Sequence, residues 1–205
     1  MFALKENILK NLTALLVFCF LLTFFQIYFY KAFMKGESSI LIYISNFQYL
    51  VYIYNLVVFN NFLKTELENL SFRFLTLLLI ILYSLYIILQ GFSYAKIIND
   101  NFISSGIVYL IISIVGFIFI IKLFRIEAGR YKIQLNLVAV TLLLSSILGY
   151  IHMLSFAYPS YADSLVWFYL IYLLPDLAYA YLYFSLLKHR KSGIYIEPED
   201  RYKIE

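Results

Sequence analysis

A single cysteine, Cys19, occurs in the whole chain, which excludes an internal disulfide, a CxxC redox pair and a cysteine-built zinc site. Histidine is nearly as scarce. His189 lies in a basic cluster, so His152 is the lone histidine inside an apolar run, without the companion that paired haem ligation needs. No metal and no cofactor is expected. Seven glycines and three prolines leave little material for the broken helices on which many secondary transporters rely. Charge is short as well. Only 14% of the residues are charged, against about 25% in soluble domains, while 63% are hydrophobic, so a water-soluble domain is excluded. Nor does the chain carry GxSxG, HExxH, a Walker loop, an EF-hand loop, an aspartate pair on one membrane helix or regularly spaced arginines. The reading is a protein without catalytic apparatus.

What the chain has is apolar length. Runs long enough to cross a bilayer cover residues 9–30, 39–62, 72–94, 103–124, 135–157 and 164–187. The fold class read from them is all-α: a polytopic integral membrane protein, a six-transmembrane-helix bundle. The first run is long for a signal-peptide core and is followed by no small-x-small cleavage site, so it reads as a retained helix. Residues 1–191 form one transmembrane domain, and 192–205 a short polar tail. Ser38 or Ser39, Asn101 and Asp163 suit helix N-caps, Thr65 and Glu68 suit a capping box, and Gly36 suits a helix end.

Lys and Arg set the orientation. With the N-terminus in the cytoplasm, all 16 basic residues except Lys31, Lys35 and Lys96 fall on the cytoplasmic side, so both termini are read as cytoplasmic. Because the net charge of +4 is spread over short loops, it marks topology and gives no nucleic-acid surface. The expected location is a cell membrane, the prokaryotic plasma membrane in the first place and an organelle membrane as the alternative. The expected partner is the lipid bilayer, and the sequence leaves an oligomer open.

One ionisable residue stands near the middle of a span. Asp176 follows Pro175 in the sixth run, about 18 Å below its outer end at 1.5 Å per residue. A carboxylate at that depth costs roughly 2.5–3.5 kcal/mol, and no Lys or Arg falls at its level. Tyr172, Asp176, Tyr179 and Tyr183 share one helical stripe, and Pro175 frees the carbonyl of Ile171, which makes it a candidate hinge. In the second run Ser45, Gln48, Tyr52 and Asn55 form a polar stripe that must face protein or water. Ser145, Ser146 and His152 come from the fifth run, His152 well above Asp176. Tyr83, Tyr86 and Gln90 repeat the spacing of Tyr169, Tyr172 and Asp176 but at a different depth, which argues against an internal repeat.

The leading functional expectation is binding or translocation of a small solute, cation or proton at a polar intramembrane site. Its binding set is Asp176, Tyr172, Tyr179, Tyr52, Gln48, Asn55, Ser145, Ser146 and His152, with access from outside. Two other readings compete. A neutral Asp176 serves as an interhelical hydrogen bond, or the bundle is a membrane sensor or scaffold whose protein partner docks on the tail or on the basic loop 122–132.

Overall fold

The computed structural model describes residues 6–28, 39–67, 69–94, 101–155 and 174–191, with side chains described at 6–24, 47–67, 69, 71–89, 91–92, 107–148 and 174–189. Six α-helices fill these stretches: α1 (Glu6–Tyr28), α2 (Ser39–Thr65), α3 (Leu70–Tyr94), α4 (Asn101–Arg125), α5 (Lys132–Ser155) and α6 (Leu174–Lys191). There is no strand among the described residues. Each helix packs on the next, and α6 packs back on α1, closing the six into a ring.

The helices hide and show apolar residues alike. On α4 the side chains of Ile107, Leu110, Ile111, Ile114, Phe117, Ile118 and Ile121 form an exposed stripe at helical spacing. Comparable stripes run along α3 (Phe74, Leu77, Ile81, Leu85, Ile88) and along α5 (Ile133, Leu137, Val140, Leu144, Ile147). α2 exposes Leu50, Tyr54 and Val57, and α6 exposes Leu177, Tyr181 and Phe184. An apolar face on every side of a bundle has one stable surrounding, which is hydrocarbon. Among the described residues four helices, within α1, α3, α4 and α5, are long and apolar enough to cross a membrane, and the chain is a membrane protein on that ground.

The opposite faces fill the ring. Phe59 of α2 meets Phe72 of α3 at 6.2 Å, Phe119 of α4 at 5.9 Å and Tyr179 of α6 at 5.6 Å, with Phe72 and Phe119 stacked at 4.9 Å. Phe59, Phe62, Phe72 and Phe119 are all fully buried, so this half of the interior is a dry aromatic plug.

Beneath the plug one end of the bundle is tied by polar contacts. Arg130 donates to Glu66 at 3.4 Å, Tyr131 donates to Glu66 at 3.5 Å, and the His189 ring stands edge-on to Tyr131 at 6.2 Å. These contacts bring the end of α2, the α4–α5 connection and the end of α6 together, as alternating up and down helices require. The connection is a 3-10 turn, Gly129–Tyr131, whose first residue has φ 46°, a left-handed backbone that glycine adopts without strain. Lys132 then donates to the carbonyls of Phe124 and Ile126, both at 2.8 Å, satisfying groups left open at the end of α4.

α2 and α4 begin at Ser39 and Asn101, two of the expected N-cap residues, whose side chains lie outside the described residues. Of the expected capping box, Glu68 lies outside the described residues, and Thr65 does not act as a helix cap. Thr65 belongs to the last turn of α2, where its hydroxyl donates to the Asn61 carbonyl at 3.0 Å. The cap of α3 is Asn69, whose Oδ1 accepts from the Phe72 amide at 3.0 Å and from the Ser71 hydroxyl at 3.2 Å. An asparagine four residues on outcompetes the threonine because the chain stays helical through Thr65. Ser38, Gly36 and Asp163 lie outside the described residues.

Candidate functional site

Above the phenylalanine plug the interior changes from phenylalanine to tyrosine. Tyr49 and Tyr52, one turn apart on α2, face Tyr83 and Tyr86, one turn apart on α3. The rings of Tyr52 and Tyr83 meet edge to face at 5.0 Å and their hydroxyls are hydrogen-bonded. Tyr49 meets Tyr86 at 5.6 Å with a second hydroxyl pair, and Tyr86 reaches Tyr109 of α4 at 6.0 Å. Between these pairs Tyr49 and Tyr83 are 6.3 Å apart. The result is a continuous tyrosine ladder shared by three helices.

Asp176 stands beside the lower rung. Its carboxyl is within electrostatic range of Cys19 on α1, Tyr52 on α2 and Tyr179 on its own helix. Among the described residues it has no hydrogen-bond or ion-pair partner, and no cation acts on it. It is partly exposed, whereas Tyr179 and Tyr183, on the same stripe, are fully buried. The Tyr179 hydroxyl, completely buried, has no hydrogen-bond partner among the described residues. A buried hydroxyl in that condition costs about 1–3 kcal/mol, so it marks a position where something else is wanted.

Below this level the polar groups satisfy one another in part. Tyr183 donates to Asn55 Oδ1 at 2.6 Å, linking α6 to α2 across the ring, while Asn55 Nδ2 has no partner among the described residues. On the other flank Gln48 Nε2 donates to the Thr23 hydroxyl at 2.6 Å, and Thr23 passes a bond to the Cys19 carbonyl at 3.0 Å. These contacts fix α1 and α2 around Asp176.

Of the residues expected at the site, Asp176, Tyr179, Tyr52 and Asn55 are thus brought together, and Gln48 lies on the α1–α2 flank. Ser146 is not brought in. It lies on the exposed face of α5, and its hydroxyl donates to the Leu142 carbonyl of its own helix at 2.9 Å, the usual outlet for a serine facing lipid. Ser145 is half-buried on the neighbouring face of α5. Pro175 is the second residue of the described part of α6. Its expected role as a hinge depends on Ile171, which lies outside the described residues, as does Tyr172. His152 is in α5, but its side chain is also outside them, and so are those of Ser45 and Gln90.

Sequence reading missed the part that α1 takes in the site and most of the ladder. Cys19, Thr23, Tyr49 and Tyr109 carried no polar stripe of their own, and Tyr83 and Tyr86 entered only as a failed repeat. The usable signal was the pairing of tyrosines one turn apart on two consecutive helices, which antiparallel packing sets face to face. In the basic loop, Arg130 and Lys132 are engaged within the chain. The tail 192–205 lies outside the described residues. No known family model, no curated protein and no solved structure matches this chain.

Proposed function

We propose that this protein is a six-span membrane protein, both ends cytoplasmic, that binds or translocates a small solute or cation at a site centred on Asp176. The observation that carries the reading is the carboxyl itself. It stands among apolar helices with no partner from the described protein, next to a buried Tyr179 hydroxyl in the same condition. An interhelical hydrogen bond would be the reason to keep an aspartate for structure, and Asp176 makes none among the described residues. A group this costly in a membrane, with no hydrogen bond or ion pair among the described residues, is kept for a ligand.

Six spans are supported by the apolar stripes that α2 and α6 also expose. Their polar inward faces, Gln48, Asn55 and Asn60 on one and Asp176 on the other, lower their average hydropathy without making their outer faces wet. Orientation follows from the basic residues gathered with Glu66 and His189 at the plugged end, which is the cytoplasmic side by the positive-inside rule. Access to Asp176 is then from outside, through the tyrosine layer, with the phenylalanine plug closing the cytoplasmic side.

The test is water access. In a Cys19→Ser background, Asp176→Cys is treated with a small membrane-impermeant thiol reagent from the outside of oriented vesicles. Labelling is expected; a folded protein that stays unlabelled would remove the site from any aqueous path.

A further inference from the structure

We propose that the turn end of the α2–α3 hairpin selects an anionic phospholipid, its phosphate held by Arg73 and Lys64 and its acyl chains lying along the exposed apolar stripes of α2 and α3. This surface is separate from Asp176 and does not rest on the reading of that residue.

The fold puts both cations where a headgroup lies. Lys64 is in the last turn of α2 and Arg73 is the fourth residue of α3, and the two helices pack on each other. Phe59 against Phe72 and Tyr52 against Tyr83 fix their register, which leaves Lys64 and Arg73 about one turn, or ~5 Å, apart along the bundle axis. Each closes a lipid-facing stripe. Lys64 is exposed and stands seven and fourteen residues from Val57 and Leu50, both exposed on the same face of α2. Arg73 lies beside the exposed Phe74 and one and two turns from the exposed Leu77 and Ile81. The apolar span of α3 opens at Ser71, so Arg73 is at the edge of the hydrocarbon. Acyl chains already cover these stripes in a bilayer, and no cavity is needed. What the two cations decide is which headgroup ends the chain.

Their charge is not used within the described protein. Lys10 pairs with Glu6 at 2.7 Å, Arg130 with Glu66 at 3.4 Å, and Lys132 donates to two carbonyls at the end of α4. Neither Lys64 nor Arg73 has an ion pair or a side-chain hydrogen bond among the described residues. Arg73 differs from the other basic side chains in one more respect. Its Nε is buried without a partner, the one such atom of a basic side chain among the described residues, while the residue as a whole is half-buried. The side chain is therefore packed as far as the guanidinium, which loses little freedom when it takes an anion. A cation in the opening turn of α3 also works against the helix dipole, a cost that a neighbouring anion offsets. A phosphodiester matches this pair, two of its oxygens meeting the planar fork of Arg73 while Lys64 supplies a point charge. A zwitterionic headgroup offers the same phosphate but adds a cation of its own, which Arg73 and Lys64 repel. The selection is thus for net negative charge.

Native mass spectrometry tests it, on the purified full chain released from micelles holding equal amounts of dioleoyl-phosphatidylglycerol and dioleoyl-phosphatidylcholine. Their acyl chains are identical, so only the headgroup differs. Retention of the glycerol lipid is expected to exceed that of the choline lipid by about tenfold or more. Arg73→Gln and Lys64→Gln should each cut the preference about fivefold. Arg125→Gln and Lys188→Gln remove the same charge from exposed residues and should change it by less than about twofold. Arg73→Lys, which keeps the charge and loses the fork, should fall between wild type and Arg73→Gln. If Arg73→Gln does not purify folded, Lys64→Gln against Lys188→Gln decides alone. Equal retention of the two lipids, or an equal loss in all four Gln variants, would overturn the proposal. So would displacement of the lipid by millimolar inorganic phosphate, which would make this a site for the free anion.

Discussion

Tyr183→Phe removes one hydroxyl and nothing else, which makes it the cleanest test of how the interior is held. The Tyr183 ring stacks on Tyr179 at 6.3 Å and 20°, and phenylalanine keeps that contact. The hydroxyl donates to Asn55 Oδ1 at 2.6 Å with both side chains fully buried, and Asn55 Nδ2 has no partner among the described residues. In the variant both ends of a buried amide are left without a bond. In a soluble core such a loss costs about 1–3 kcal/mol. In a bilayer the separated helices also find partners, and measured interhelical bonds average about 0.6 and reach about 1.7 kcal/mol. Because the deletion strands the whole amide, the expected loss lies in the upper half of that range, about 1–1.5 kcal/mol. Reversible unfolding by SDS in mixed micelles measures it. Asn55→Leu combined with Tyr183→Phe should be less damaging than the two single losses added, since an apolar pair strands nothing. A Tyr183→Phe protein within about 0.3–0.5 kcal/mol of wild type, or strict additivity of the pair, would refute the reasoning.

In the same titration Asp176→Asn should change stability by less than about 0.5 kcal/mol, because the carboxyl holds no other helix among the described residues; a loss as large as that of Tyr183→Phe would make it interhelical glue. Phe59→Ala empties the centre of the plug and should cost about 3–5 kcal/mol, with faster dissipation of a pH gradient in proteoliposomes; an unchanged gradient would place the barrier elsewhere. Glu66→Gln removes a 3.4 Å contact whose Arg130 side chain is 37% exposed, so the cost should stay below about 1 kcal/mol and shrink in high salt; a larger loss would mean the tie is shielded from water. For the span count, single cysteines at Leu50 and Tyr181 in a Cys19→Ser background should react with a lipid-soluble thiol reagent and resist a water-soluble one; reaction with the water-soluble reagent would take α2 or α6 out of the bilayer.

The apolar runs needed no partner to be read. A residue series that must satisfy its backbone bonds internally in hydrocarbon has only the helix available, so composition and run length located the six described helices. They also singled out Asp176, because a lone mid-span carboxylate is anomalous whatever surrounds it. The α2 stripe of Tyr52 and Asn55 was legible for a similar reason, since polar residues at helical spacing cannot all face lipid. Which helices share an interface was not legible. Lipid-facing and core-facing residues are equally apolar here, so periodicity does not tell Phe59, in the plug, from Phe74, on the outside. Only packing put α1 beside α6 and so Cys19 beside Asp176, turned Ser146 outward, and set Tyr52 against Tyr83. The sequence determined that the chain is a helical membrane bundle with a carboxyl, Asp176, near the middle of an apolar run and no Lys or Arg at its level. Tertiary structure decided what that carboxyl faces, because the apolar code that inserts a helix is silent about its neighbour.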